Sequence, residues 1–244
     1  ANLKDCEANP NYRLVVGDIG DRAAVEKVFA EESPNEVVHF AAESHVDRSI
    51  LDSSPFIRTN VQGTQVMLDV SRVHNIERYV QVSTDEVYGE STMNPQDVKK
   101  TEQSVLCPTN PYAATKSAAE LIAQSYFHSF RMPIIITRGN NVYGSGQYPE
   151  KVIPRFIHQL RKNQRVTIQG DGSCMRAFLH VSDAASAFIT ILERGYVGEI
   201  YNIGCDEGME YSIMDIARML IRLMKEGKND GDGDGDGDGD GDGK

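Results

Sequence analysis

What this sequence lacks narrows it first. No apolar run approaches the length needed to span a membrane, and no signal peptide stands at its start, so no membrane partner is expected. The first residue is Ala1 rather than Met, and a segment upstream of it is expected. Cysteine is scarce. Cys6, Cys107, Cys174 and Cys205 share no Cys-x-x-Cys spacing, which argues against a zinc site and against a disulfide framework. Four reduced thiols in a reducing, cytoplasmic compartment are expected. The six histidines make no metal-ligand cluster, and no metal is expected. Positive charge is short as well. The formal net charge is −11, and residues 226–244 carry six of those charges. The mildly acidic remainder lacks the basic face that nucleic-acid binding usually needs, so no nucleic-acid partner is expected.

What is present is an alternation of strand and helix. Strands are expected at Arg13–Val16, Glu36–Ala41, Tyr79–Ser83, Ile134–Thr137, Arg165–Gln169 and Gly198–Ile203. Helices are expected at Asp21–Glu32, about Ser54–Val73, Lys151–Lys162, Val181–Arg194 and Ser212–Lys225. Another opens where Asn110 offers an N-cap and Pro111 a first helical residue. Repeated strand-helix units imply an α/β fold, a doubly wound parallel sheet with ligands beyond the carboxyl ends of its strands. Asp18, Ala41 to Ser44, Ser83 to Glu86 and Asn140 fall at such ends.

Two stretches carry chemistry. Ser83-Thr84-Asp85-Glu86-Val87-Tyr88-Gly89 closes a strand with hydroxyls and two adjacent carboxylates. Tyr112-Ala113-Ala114-Thr115-Lys116 sets a phenol and an ammonium one helical turn apart, on the same helix face. A nearby ammonium favours the phenolate, which could act as a base toward a hydroxyl. Taken alone, each feature has a plainer reading. Tyr-x-x-x-Lys recurs by chance, adjacent acids are common in loops, and Asp18 reads equally as a turn residue. His45 could start a helix, and Arg176 could be a surface arginine on a strand.

Further stretches agree in order: Ala41-Ala42-Glu43-Ser44-His45-Val46-Asp47-Arg48-Ser49, Asn110-Pro111-Tyr112, Arg138-Gly139-Asn140-Asn141-Val142-Tyr143-Gly144 and Tyr148-Pro149-Glu150-Lys151-Val152-Ile153-Pro154. From about Asn11 to about Lys225 the chain resembles the nucleotide-sugar 4,6-dehydratases, a branch of the extended short-chain dehydrogenases/reductases. The resemblance implies a Rossmann-like fold, NAD as cofactor, a dTDP- or UDP-linked glucose as substrate, and a homodimer formed through the helices at about Ser54–Val73 and Pro111–Phe130. It implies that Tyr112 takes the sugar 4-hydroxyl proton, with Thr84 bonded to that hydroxyl. Lys116 lowers the phenol pKa and holds the nicotinamide ribose. Glu86 takes the C5 proton and Asp85 protonates the departing C6 hydroxyl. Asp18, Ile19, Ala41, Ala42, Ser44, Ser83 and Asn140 complete the cofactor site. His45, Arg48, Asn141, Glu150, Lys151 and Arg176 join Thr84 on the substrate side.

The chain departs from that pattern at both ends. No Gly-x-x-Gly-x-x-Gly precedes the first strand, although those glycines let the backbone approach a pyrophosphate. The first βαβ unit is therefore expected to be absent, and residues 1–244 alone are expected to bind a dinucleotide weakly. The organisation expected is a partial NAD-binding domain over 1–145, part of a smaller substrate-binding region over 146–225, and a disordered acidic Gly-Asp tail over 226–244. An epimerase or decarboxylase on the same scaffold, or a non-catalytic fragment, stays open as an alternative.

Overall fold

Short runs rich in Val and Ile suit strands covered on both faces. The computed structural model, which describes residues 2–89, 99–168, 170–206 and 208–229, assembles those runs into a four-stranded main sheet and has a second sheet of three strands. Its strands in chain order are β1 (Glu36–His39), β2 (Arg78–Thr84), β3 (Ile134–Gly139), β4 (Asn141–Tyr143), β5 (Met175–His180), β6 (Ile200–Ile203) and β7 (Glu210–Ser212). The main sheet has the order β1-β2-β3-β6 and is parallel throughout. Val38 lies beside Val80, and Val80 beside Ile135.

The helices in chain order are α1 (Arg22–Glu32), α2 (Val46–Leu51), α3 (Ser54–Phe56), α4 (Thr64–Val73), α5 (Pro111–Phe130), α6 (Val152–Arg161), α7 (Val181–Arg194) and α8 (Ile213–Asn229), and α1, α4 and α5 cover one face of the main sheet and α7 the other. Successive strand residues point to opposite faces. Tyr79, Ile134 and Ile136 therefore pack with Val25, Phe29, Leu68 and Ala123 from α1, α4 and α5. Val80 and Ile135 pack on the other side with Ile191 of α7 and with Ile203. This is the doubly wound α/β architecture that the alternation of elements implies.

Two compact units divide the chain. One holds Ala1–Gly146 with Ala177–Gly208, and the other Gln147–Arg176 with Met209–Lys244. The first contains the whole main sheet. In the second, α6 packs against α8, and Phe156 is fully buried. Among the described residues no helix is long and apolar enough to cross a membrane. Residues 230–244, most of the Gly-Asp tail, lie outside the described residues.

Several expectations need correction. Residues 13–16 form no strand, and Leu14, Val15 and Val16 are exposed. A strand persists through its ladder, and no described strand pairs with these residues, while β1 ends the sheet. Residues 165–168 are not a strand either. Side chains of α6 bond that backbone instead: Arg155 donates to the Thr167 carbonyl at 3.3 Å, and Gln159 Oε1 accepts from the Thr167 N–H at 3.3 Å. The helix expected over Ser54–Val73 is interrupted by a π-helical stretch, Ile57–Gly63. Ile19 sits against its last residue, where a Cβ on Gly63 would come within 2.6 Å of Ile19 Cδ1. The short strands β4 and β7 were not expected, whereas α2 and β5 match the plainer readings of His45 as a helix start and of Arg176 as a strand residue.

Candidate active site

Thr84 ends β2, and a 3₁₀ turn, Asp85–Tyr88, follows directly. The Thr84 hydroxyl accepts from the Glu86 N–H at 3.3 Å and donates to Asp85 Oδ1 at 3.2 Å. Gly89 closes the turn at φ 91°, and a Cβ there would come within 2.5 Å of the Cys107 carbonyl oxygen. Each carboxylate has its own asparagine. Asn140 Nδ2 donates to Asp85 Oδ2 at 2.9 Å, and Asn110 Nδ2 donates to Glu86 Oε2 at 3.1 Å. Asn110 also caps α5, its Oδ1 accepting from the Ala113 N–H at 2.8 Å. One side chain thus fixes both the start of α5 and the orientation of Glu86.

Tyr112 and Lys116 lie on the first two turns of α5 and are both buried. The Tyr112 N–H donates to Ser49 Oγ at 3.2 Å, and the Tyr112 carbonyl accepts from Thr115 Oγ1 at 2.8 Å. Lys116 Nζ donates to the Val82 carbonyl at 2.6 Å, which ties α5 to β2. Burial pushes the Lys116 ammonium down to about 8, while the charge of Glu120 pulls it back up. Burial also pushes the Tyr112 phenol well above its ordinary value, Glu86 and Asp85 push it further, and a hydrogen bond with Thr84 opposes them. The expected lowering of the phenol pKa by Lys116 is not found in the protein alone. Lys116 directs one N–H to the Val82 carbonyl, and the charges that act on the phenol are those of Glu86 and Asp85.

Asn60, inside the π-helical stretch, is the residue sequence reasoning missed most completely. Its Oδ1 accepts from the Glu43 N–H at 2.8 Å, and its Nδ2 donates to the Glu43 carbonyl at 3.0 Å and to Thr115 Oγ1 at 3.0 Å. It binds the loop after β1 to α5. The Asn60 carbonyl accepts from Thr64 Oγ1 at 2.7 Å, so the Thr64 hydroxyl must accept from His39 Nε2, 3.1 Å away.

His39 is therefore a buried neutral imidazole; burial, then the charge of Lys116, pushes it down to about 4. The unfolded chain, with a histidine near 6.5, takes up the proton first as the pH falls. Stability is full above about pH 6.5 and declines toward about pH 4, by up to about 3 kcal/mol. Urea midpoints across that window should fall for the unaltered chain and stay flatter for His39→Asn. Equal acid sensitivity in the two would assign the loss to other groups.

The remaining expected site residues divide between the units. Ser83, the residue before Thr84 in β2, has a buried hydroxyl with no hydrogen-bond partner among the described residues. Ala41, Ala42 and Ser44 lie in the loop that Asn60 holds. His45 caps α2, its Nδ1 accepting from the Arg48 N–H at 3.4 Å, and Arg48 is exposed. Asp18 is half-exposed, accepts from the Gly20 N–H at 2.8 Å and pairs with Arg58 at 2.9 Å. Asn141 begins β4. Glu150, Lys151 and Arg176 belong to the second unit. There Lys151 precedes α6, and Arg176 Nη1 donates to the adjacent Met175 carbonyl at 2.9 Å. Among the described residues no group of His, Cys, Asp and Glu side chains could hold a metal ion.

The first unit thus carries a doubly wound parallel sheet with an acid pair at one strand end and a Tyr-x-x-x-Lys helix beside it. The profile of the NAD dependent epimerase/dehydratase family matches residues 1–204. The chain belongs to that family. It is 43% identical over 229 residues to the human dTDP-D-glucose 4,6-dehydratase, covering 94% of this chain and 64% of the relative. It is also 43% identical over 223 residues to the trifunctional UDP-glucose 4,6-dehydratase/UDP-4-keto-6-deoxy-D-glucose 3,5-epimerase/UDP-4-keto-L-rhamnose-reductase RHM1 of Arabidopsis thaliana, covering 91% of this chain and 33% of that protein. The crystal structure of DesIV, a dTDP-glucose 4,6-dehydratase from Streptomyces venezuelae with NAD and TYD bound, superposes with a TM-score of 0.86 at 39% identity, covering 92% of this chain and 67% of that one. The chain thus spans about 64% of the length of its human relative.

Proposed function

We propose that this chain supplies the catalytic residues of an NAD-dependent nucleotide-sugar 4,6-dehydratase acting on dTDP-glucose. The observation that carries the reading is the pair of carboxylates after Thr84, each oriented by its own asparagine. An epimerase has no elimination to catalyse and no use for two such groups. Bound NAD⁺ would supply a hydride acceptor that later returns the hydride. The fit is good at the nicotinamide end, where the orphaned Ser83 hydroxyl and the Lys116 ammonium would meet the cofactor.

In this reading Tyr112 removes the proton of the sugar 4-hydroxyl, which Thr84 aligns. The resulting ketone acidifies the C5–H. Glu86 takes that proton, and Asp85 protonates the departing C6 hydroxyl, so one carboxyl starts charged and the other neutral. Separate asparagine partners give the two groups different surroundings, which is how paired acids divide such roles. The positive nicotinamide would offset the burial and the carboxylates that hold the Tyr112 phenol protonated in the protein alone.

His45, Arg48 and Asn141 are proposed on the sugar-nucleotide side; Asp18, Ile19, Ala41, Ala42, Ser44 and Asn140 are proposed on the cofactor side. A cytoplasmic location fits four cysteines that form no disulfide among the described residues, and a homodimer fits the exposed Leu121 and Phe130 of α5. UDP-glucose is the second candidate substrate, because the Arabidopsis relative is as similar as the human one.

The test is to incubate the full-length gene product with NAD⁺ and either dTDP-glucose or UDP-glucose and to follow the product by proton NMR. A 4-keto-6-deoxy sugar from dTDP-glucose in preference to UDP-glucose is expected. A 4-epimer as the sole product would overturn the dehydratase reading.

A further inference from the structure

Arg138 is 3% exposed, at the carboxyl end of β3. Its Nε donates to both Glu120 oxygens, at 3.2 and 3.0 Å, and its Nη2 donates to Glu120 Oε2 at 2.7 Å. Its Nη1 donates to the Tyr88 hydroxyl at 2.8 Å and to the Glu102 carbonyl at 3.1 Å. The Tyr88 hydroxyl passes its own proton to Asn202 Oδ1 at 2.7 Å, and the Asn202 N–H donates to Glu102 Oε1 at 2.9 Å. The whole array lies in the unit that holds the main sheet.

A buried ion pair is weak evidence for stability, since apolar side chains of the same volume often serve as well. What this pair joins is more informative. Glu120 stands one helical turn beyond Lys116 and two beyond Tyr112, continuing their face of α5. Tyr88 is the last residue of the turn that opens with Asp85 and Glu86. The guanidinium is a planar fork with fixed angles, so it sets a distance that a flexible ammonium would not. Neither Arg138 nor Glu120 needs to touch a substrate to do this.

We propose that Arg138 is a positioning residue of the reaction: one guanidinium, shared by Glu120 and Tyr88, holds the Tyr112–Lys116 helix and the Asp85–Glu86 turn at a single spacing, so that oxidation and elimination act on one substrate pose. The proposal rests on the dehydratase reading. Tyr88→Phe releases the turn while keeping the ring, and Glu120→Gln releases the helix while keeping the shape.

In single turnovers of the full-length gene product with dTDP-glucose, the near-ultraviolet absorbance of NADH rises with oxidation and falls as elimination allows the hydride to return. A misplacement of about an ångström costs up to about a hundredfold in rate. Tyr88→Phe should slow the fall about tenfold and leave the rise within about twofold, whereas Glu120→Gln should slow the rise about tenfold. Arg138→Lys should slow both. In substrate-free protein, hydrogen exchange at the Glu86 and Gly89 amides should quicken about tenfold in Tyr88→Phe, with α5 unchanged. Equal slowing of both steps in each single variant, or parental exchange in Tyr88→Phe, overturns the clamp. Unaltered enzyme that forms neither NADH nor product overturns the dehydratase reading instead, and the exchange comparison still decides whether the clamp holds the turn.

Discussion

Tyr112→Phe should lower turnover of dTDP-glucose by about a hundred- to ten-thousand-fold, the usual cost of losing a positioned general base. The ring itself stays. It packs edge-on to Phe56 with centroids 6.5 Å apart, and the backbone bonds to Ser49 and Thr115 do not involve the phenol. The melting temperature should therefore barely move, and the loss should fall on kcat rather than on binding. Burial makes the phenol a reluctant acid, so its deprotonation depends on positive charge close by. Steady-state rates of the variant and its parent, measured at saturating substrate, test this. A Tyr112→Phe enzyme within about threefold of its parent would remove Tyr112 from the role of base.

Replacing both carboxylates should divide the reaction rather than abolish it. With Asp85→Asn and Glu86→Gln, proton removal from the 4-hydroxyl remains possible, but loss of the C5 proton and of the C6 hydroxyl slows by about a hundredfold or more. Adding dTDP-glucose should then leave enzyme-bound NADH standing, visible in the near ultraviolet, with little 4-keto-6-deoxy product. The asparagines need not be stranded, because an amide oxygen at each position can still accept from Asn140 and Asn110. Parental turnover in this double variant would reduce the two acids to loop decoration and remove the ground for preferring a dehydratase to an epimerase.

Most of the fold was legible because its signals are local. Val-rich strands separated by amphipathic helices announce a parallel sheet, and Asn110-Pro111 marks the start of α5 to the residue. The Ser83–Glu86 and Tyr112–Lys116 stretches could be read for the same reason: each site motif sits within one turn or one strand end. What sequence could not show is set by distance along the chain. Asn60 meets Glu43 and Thr115 across 17 and 55 positions, and Arg138 meets Tyr88 across 50. No spacing rule reaches that far. The strand expected at residues 13–16 failed for the converse reason. Its apolar pattern is sound, but a ladder also needs a neighbour, and propensity carries no information about neighbours.

The π-helical stretch at Ile57–Gly63 has a consequence for sequence length. A π turn houses about one residue more than an α turn, so this stretch holds extra length inside a continuous helix. Deleting a single residue there would let the helix relax to regular geometry and would rotate everything before the deletion by about 100° relative to α4. Asn60 could then no longer face Glu43 and Thr115 together, and the loop behind β1 would lose its tether. The number of residues in this stretch, and not only their type, thus sets where Asn60 points.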